Sequence, residues 1–435
     1  MLKYDLRVRS FDFTPAAAVV VVAIGAAAAL AAQRRDAFSA SREHPAIAYA
    51  EREGANRVRR LSEALATGAA RLAFEDTYGR GYLRSLLDAL GVPAESQVLV
   101  FSETSRQAKQ ISPSHPRAIY FGDSVAVGWV PAAELLEIAA QDTEQGVVFY
   151  TLAQRRSEPP RLARDVSCLL CHLTWDTLAV PGLMTLSTFP MSDDPYAYAD
   201  GVVVDHRTPL PERWGGWYVT GRAVPAKHMG NAPVIRPAAE LAKRPLPPPK
   251  LASMARAIPN ADAYLSPQSD VAALMVLNHQ TRATNLLTWV GWETRVALAQ
   301  GSPLDRVDDA VRELVDYFLF VDEAPLPQRI EGAPAFAERF AVNGPRDASG
   351  RSLRQLDLTT RLMRYPCSYM IYSEAFDALP AVALEKVFAR LWRVLSGEEH
   401  DRRYARLSAD DRRAIVEILR ATKRGLPAYF VDQRF

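Results

Sequence analysis

The hydrophobic pattern of the chain changes along its length, and each pattern predicts a different kind of structure. Between residues 40 and 90, apolar and charged residues alternate near the 3.6-residue period of an amphipathic helix. Between residues 97 and 152, short runs rich in β-branched and aromatic residues are separated by turn residues. These runs read QVLVFS, RAIYF, VAVGWV and GVVFYTL. They predict a small antiparallel sheet.

Beyond residue 250 the pattern is helical again. Predicted helices cover about residues 270–299, 304–321, 381–395 and 409–422. We expect Ser266 or Ser269 to cap the first of them, and Ser408 with Asp411 resembles a capping box at the last. In the first of these helices, four polar residues interrupt the apolar pattern on nearby turns: Asn278, His279, Arg282 and Asn285.

The stretch between the sheet and the helices is dense in Pro, Gly, Met and aromatic residues up to about residue 250. Long segments with little regular structure inside a compact protein tend to be functional loops. We expect this one to wrap a planar cofactor. The run PLPPPK at residues 245–250 predicts a stiff spacer and a domain boundary.

The strongest chemical signal is the run Cys168-Leu169-Leu170-Cys171-His172, which lies between the predicted sheet and that stretch. Two cysteines separated by two residues and followed at once by histidine form the attachment signature of c-type haem. The thiols add across the two porphyrin vinyl groups, and the adjacent imidazole becomes the proximal iron ligand. With 3 Cys and 7 His in 435 residues, chance produces this pattern with a frequency on the order of 10⁻⁴. We therefore expect one covalent haem c.

Three other interpretations of the same cysteines are weaker. A structural zinc site needs four nitrogen or sulfur ligands, and the chain has only one further thiol, Cys367. A thioredoxin-like redox pair is expected at a strand-to-helix junction of a small cytosolic domain. The third interpretation is a pair of buried cysteines without chemistry.

The N-terminal segment has the pattern of a targeting sequence. Residues 15–32 form an apolar run of 18 residues without charge, at the lower edge of what spans a bilayer. The run is preceded by basic residues, Lys3, Arg7 and Arg9, and it ends near Ala29-Leu30-Ala31, which resembles a cleavage site. This arrangement is also that of a signal peptide. Because haem c is attached outside the bacterial inner membrane, we expect a single-pass anchor with a periplasmic body. A cleaved, soluble periplasmic protein is the alternative.

Composition adds limits on size and partners. At 435 residues the chain exceeds what one hydrophobic core commonly fills. A net charge of +2 is close to balance and lacks the excess of basic residues that is typical of nucleic-acid-binding proteins. We therefore expect no nucleic-acid partner. The predicted class is α+β. It comprises an N-terminal anchor or signal peptide at 1–34, a haem c-binding α+β domain with a small antiparallel sheet at 35–250, and a mainly α-helical domain at 251–435.

Two long motifs resemble a known family. At DHRTPLPERWGGWYVTG followed by HMGN, and again at RYPCSYMIYSEAFDALP, the chain is similar to uncharacterised bacterial exported proteins that carry a single CxxCH and a cytochrome c domain. The similarity spans about residues 98–430. It implies covalent haem on Cys168, Cys171 and His172 and a redox role, and it implies no particular reaction.

The sixth iron ligand decides between an electron carrier and an enzyme, since a methionine or a second histidine closes the iron. The first candidates are Met229 and His228, which follow His172 by 57 and 56 residues. His206 and His279 are further candidates. Met184, Met191 and Cys367 are further possibilities, although methionine is more often a core filler and a lone cysteine beside aromatic residues is most simply a buried thiol.

His279 and Arg282 have a second interpretation as polar residues of the haem pocket. A His/Arg pair polarises bound peroxide in some haem sites. The same pair binds haem propionates in others, or is a buried pair that satisfies itself. We favour the propionate or structural role.

The sequence therefore predicts a membrane-anchored periplasmic mono-haem c-type cytochrome that exchanges single electrons with a redox partner protein. The alternative is a haem c enzyme with peroxidase-like or other small-ligand chemistry, such as peroxide or nitric oxide, at an open sixth position. A haem-based sensor or scaffold subunit is a third class. Because no second CxxCH is present, a self-contained di-haem peroxidase is disfavoured.

Overall fold

The computed structural model describes residues 42–156, 159–188, 201–232 and 249–432. The predicted anchor or signal peptide at 1–34, Met191 and most of the PLPPPK spacer lie outside these ranges. Within them, no helix is both long enough and apolar enough to cross a membrane.

An antiparallel sheet of six strands occupies the first half of the described chain, and its strands follow one another in sequence order. A separate pair of two-residue strands follows the CLLCH motif. The six strands are β1 Val98–Val100, β2 Arg117–Phe121, β3 Val125–Trp129, β4 Leu135–Asp142, β5 Gly146–Ala153 and β6 Leu162–Arg164. The pair consists of β7 Leu186–Ser187 and β8 Val202–Val203.

The register gives the large sheet two different faces. Along one face, Phe121 lies opposite Ala126, Ala126 opposite Ala139, and Ala139 opposite Phe149; we call it the inner face. Along the other face, Tyr120, Val127 and Ile138 are buried in the same core as the leucines of the first two helices. Because side chains alternate along a strand, each strand contributes to both faces.

Ten α-helices lie within the described ranges. They are α1 Arg57–Ala66, α2 Leu83–Leu90, α3 Leu169–His172, α4 Val271–Gln300, α5 Asp305–Phe318, α6 Pro334–Val342, α7 Glu374–Asp377, α8 Ala381–Ser396, α9 Ala409–Thr422 and α10 Ala428–Asp432. Helix α4 is the central one and is buried along most of its length. It begins at Asp270, whose carboxylate accepts from the N–H groups of Ala272 and Ala273, and it ends at Gly301 in the left-handed conformation.

The mixed α and β class predicted from the sequence is confirmed, and so is the antiparallel sheet. All four predicted strand runs are strands, and the four predicted C-terminal helices lie within a few residues of their expected bounds. The capping box of Ser408 and Asp411 is present. Between residues 44 and 90, α-helix is confined to α1 and α2. The cap of α4 is Asp270 and neither serine, because Ser269 donates to the Tyr218 carbonyl instead, at 2.6 Å.

Residues that follow position 250 are buried in the core of the sheet, and a residue of the sheet is buried in the core of the C-terminal helices. Met254, Ile258 and Tyr264 are buried in the core of the sheet, together with Trp292 of α4. In return, Val98 of β1 lies in the core formed by the C-terminal helices. The division into domains at residue 250 stays a prediction, and the two hydrophobic cores share elements from both sides of it.

Candidate functional site around the CLLCH motif

The CLLCH motif lies on a loop that strand β5 holds at both ends. Before the motif, the Asp165 N–H donates to the Phe149 carbonyl at 2.9 Å. After it, the Val147 N–H donates to the Pro181 carbonyl, also at 2.9 Å. The two β5 residues are neighbours on the same strand face, so the ends of the loop are brought close together.

The first turn of the motif is organised by a charged pair. The Asp165 carboxylate accepts from the Ser167 N–H at 3.0 Å and from the Ser167 hydroxyl, which caps the turn that carries Cys168. Arg106 pairs with Asp165 and donates to the Ser167 hydroxyl at 2.8 Å. Burial and the neighbouring Asp165 charge raise the pKa of the Cys168 thiol. The thiol is therefore protonated at neutral pH.

His172 is oriented through one ring nitrogen. Its Nδ1 lies 2.9 Å from the Gly182 carbonyl oxygen, and its ring centre lies 4.7 Å from that of Phe149 on the inner face. Burial lowers the pKa of His172, which keeps the imidazole neutral at pH 7. A carbonyl partner fixes the proton on Nδ1, so the lone pair lies on Nε2, which has no hydrogen bond to any described residue. This is how metal-ligating histidines are commonly held.

The Gly182 carbonyl is itself positioned by helix α4. The Asn285 side-chain carbonyl accepts from the Leu183 N–H at 2.8 Å, and its amide donates to the Leu183 carbonyl at 2.7 Å. Asn285 is 1% exposed, and a Cβ at position 182 would overlap its side-chain oxygen. Asn285 and Gly182 thus fit each other, and they couple the central helix to His172.

Two turns earlier on α4, Asn278 makes a similar pair of bonds to a different partner set. Its carbonyl accepts from the Trp214 indole at 2.9 Å, and its amide donates to the Thr185 hydroxyl at 2.9 Å. Asn278 and Asn285 are seven residues apart and so lie on the same side of the helix. Together they hold the segment that follows the motif.

The thiols and their surroundings fit a covalently attached porphyrin. Cys171 is exposed and Cys168 half-buried, and neither forms a disulfide. The intervening Leu170 is 86% exposed and Trp175 is 61% exposed, with Val166 also exposed. These three large apolar side chains lie within ten residues of one another along the chain, and their exposed surface is available to an apolar group. A porphyrin is an apolar plane of this kind.

Two of the candidate sixth ligands, His206 and His279, are bonded to each other beside helix α5. The Nδ1 atoms of His206 and His279 lie 2.8 Å apart, and Nε2 of His279 lies 2.7 Å from the Ser368 hydroxyl. Both rings stack on Tyr317. Burial lowers the pKa of His279 to about 3. Both nitrogens of His279 are engaged, so it has none left for iron in this arrangement.

His228 and Met229 lie together in a second position. The Nδ1 atom of His228 accepts from the Gly230 N–H at 3.0 Å, which places the ring proton on Nε2 and leaves no lone pair for iron. Burial lowers the pKa of His228 to about 4. The sulfur of Met229 lies 3.7 Å from the Ser187 hydroxyl, and Ser187 follows His172 in the segment held by α4. Met229 stays a prediction as the sixth ligand.

Arg282 and Cys367 are placed in other surroundings. Arg282 lies 3.9 Å from Glu313 of α5, and the hydrogen bonds of the His279 ring go to His206 and Ser368 instead. Cys367 is fully buried in the helical core, and burial raises the pKa of its thiol to about 12. Across the described ranges, no group of three or more His, Cys, Asp or Glu residues is arranged to hold a metal ion. The zinc interpretation therefore has no ligand set there.

The sequence alone identifies the motif but does not identify the residues that support it, namely Phe149, Gly182 and Asn285. Only Asn285 left a signal, as a polar residue in an apolar helix. The chain matches no family model, no curated protein and no solved structure. The resemblance to exported single-CxxCH proteins accordingly stays an expectation.

Proposed function

We propose that the protein carries one haem c, attached through Cys168 and Cys171 and ligated by His172, and exchanges single electrons with a redox partner protein. One observation carries the proposal. His172 points its Nδ1 at the Gly182 carbonyl and keeps Nε2 unbonded, within a CxxCH loop whose thiols are both unpaired. This combination supports iron ligation more than a zinc site or a dithiol pair, neither of which requires an oriented histidine.

Each residue of the site has a distinct part in this proposal. The thiols form thioether bonds by addition to the vinyl groups, and the imidazole holds the iron. Asn285, acting through Leu183 and Gly182, keeps the ring from rotating. When bound, the haem supplies exchange of one electron between ferrous and ferric iron. The exposed Leu170 and Trp175 place the site at the surface, where a partner protein comes within reach.

The proposal includes an exported location, because haem c attachment takes place outside the inner membrane. In this proposal residues 1–34 anchor the chain in the bacterial inner membrane, or direct its export and are removed. Fractionation of cells that express the full chain distinguishes the two: an anchored protein sediments with membranes, whereas a cleaved one is released with the periplasm.

An enzyme with an open sixth position remains the alternative, and one observation favours it. Nδ1 of His228 accepts a hydrogen bond, which places its ring proton on Nε2, and both ring nitrogens of His279 are hydrogen-bonded, so neither ring offers a lone pair to iron. The test is the spectrum of the reduced protein with and without carbon monoxide. An unchanged spectrum supports the carrier, and a shifted one supports small-ligand chemistry. Met229→Ala opens the iron if Met229 is the ligand.

Attachment itself is tested with cysteine variants and a haem stain on a denaturing gel. The chain is made alongside working haem-attachment machinery. We expect a stained band for the native chain, and loss or strong weakening of the stain in Cys171→Ser. Cys367→Ser is the matched control, since Cys367 is the remaining thiol and lies in the helical core. An unstained native chain, or equal staining of Cys171→Ser, would refute the proposal.

A further inference from the structure

A cavity of about 240 Å³ lies between the β2–β3 turn, the start of α1 and helix α6. Gly122, Asp123 and Ser124 of the turn form one side of it, and Phe336 and Phe340 of α6 form another. None of the motif loop residues lines it. The proposed haem site therefore does not account for this cavity.

The charged side chains around the cavity are mostly positive. Arg57, Arg339 and Arg354 line it, against the single carboxylate of Asp123. Arg57 and Arg339 are exposed at its mouth, whereas Arg354 is 3% exposed. The excess of positive charge attracts an anion.

Arg354 is held in a fixed position with donors left over. Its guanidinium lies over the rings of Phe340 and Tyr369, at 4.9 and 4.4 Å from their centres, and one nitrogen, Nη2, pairs with Asp123. Its Nε and Nη1 donate to no atom of the described residues, and neither atom is fully buried. Accessible donors on a guanidinium that lines a cavity can bind an acceptor supplied by a ligand.

Part of the cavity wall is aromatic, and the rest includes residues 90–93, Gln280 and Asn343. Phe121 and Phe336 have ring centres 6.0 Å apart, and Phe336 and Phe340 stack at 5.8 Å. A planar apolar body fits against such rings, while a planar carboxylate matches the fork of a guanidinium. Inorganic phosphate carries charge but offers no apolar surface to these rings, so it is matched less well. We propose that this cavity binds a small aromatic carboxylate.

Calorimetric titration of the full-chain protein with benzoate tests the proposal. Benzamide has the same shape without the charge, and inorganic phosphate has charge without the apolar body. Arg354→Gln removes the buried cation, and we expect it to weaken benzoate binding at least about tenfold, as loss of a charged hydrogen-bond partner does. Arg339→Ala removes an exposed cation and is expected to weaken it less. Arg312→Ala, an exposed arginine on α5, is the matched control.

The proposal is upheld if benzoate binds more tightly than benzamide and phosphate, and if both cavity variants weaken it while the control does not. It is overturned if benzoate produces no binding heat, if phosphate or benzamide binds as well, or if the cavity variants bind as the native chain does. Should Arg354→Gln not fold, Arg339→Ala and the benzamide comparison decide. Haem staining of the same samples reports separately on the proposed function.

Discussion

The two hydrogen bonds between Asn285 and Leu183 give the sharpest test of how helix α4 supports the CLLCH motif. In Asn285→Ala, the N–H and carbonyl of Leu183 lose partners at 2.8 and 2.7 Å. Each buried backbone group left without a partner costs about 1–3 kcal/mol. Since Leu183 is partly exposed and water can replace some of the loss, we expect the free energy of unfolding to fall by about 2–4 kcal/mol.

A second consequence separates a positioning role from a purely structural one. When the Gly182 carbonyl is no longer held, the Nδ1 hydrogen bond of His172 weakens, and in the proposed haem protein the imidazole would donate less electron density to iron. Ferric iron is then less stabilised, so we expect the reduction potential of Asn285→Ala to become more positive. Spectroelectrochemical titration measures the potential, and denaturant unfolding measures the stability.

Asn278→Ala is the matched control. Asn278 lies on the same helix, is 1% exposed like Asn285, and makes two bonds at 2.9 Å, but to Trp214 and Thr185. We expect a comparable loss of stability with the potential unchanged. Equal potentials in the two variants would refute the argument that Asn285 acts through His172. A native-like stability of Asn285→Ala would refute the energetic argument.

Three further predictions address the surroundings of the site. Gly182→Ala places a methyl group against the Asn285 oxygen and is expected to destabilise the protein by about 1–3 kcal/mol, measured by denaturant unfolding. His279→Ala removes the bonds to His206 and Ser368, so stability falls while the haem spectrum is unchanged; a changed spectrum would contradict the placement of His279 away from iron. Burial raises the pKa of Glu323 to about 7, so its folded form binds a proton that the unfolded chain releases above its ordinary pKa of 4.5. Stability from this group is therefore lost as the pH rises from about 4.5 to 7, by on the order of 3 kcal/mol, and the unfolding curves of Glu323→Gln should lack this dependence.

Most of the secondary structure can be predicted from local residue patterns. The runs at β2, β3 and β5 are rich in Val, Phe, Tyr and Trp, and these residue types favour strands. Strand β4, LLEIAAQD, was not predicted because its alanines, glutamate and aspartate carry little strand preference. It forms because β3 and β5 pair with it on both sides. Pairing with the neighbouring strands stabilises an extended conformation that the residues of β4 favour only weakly by themselves.

The candidate site likewise has one part that the local sequence identifies and another part that depends on residues distant in the chain. The CLLCH run is local, since its chemistry depends on five consecutive residues, and the sequence alone identifies it. Its support is not local: Asn285 lies 102 residues after Leu183, and Phe149 lies on a strand before the motif. A polar residue in an apolar helix shows that a partner must exist. Which partner it has depends on how the loop folds back onto α4.

The mass of the intact mature protein tests the central claim most directly. The chain is produced with functioning haem-attachment machinery, denatured to remove any non-covalent group, and weighed. The account predicts the mass of the polypeptide plus one haem, with the addition on the peptide that carries Cys168 and Cys171. A mass equal to the polypeptide alone, with both thiols free to react with an alkylating reagent, would contradict it.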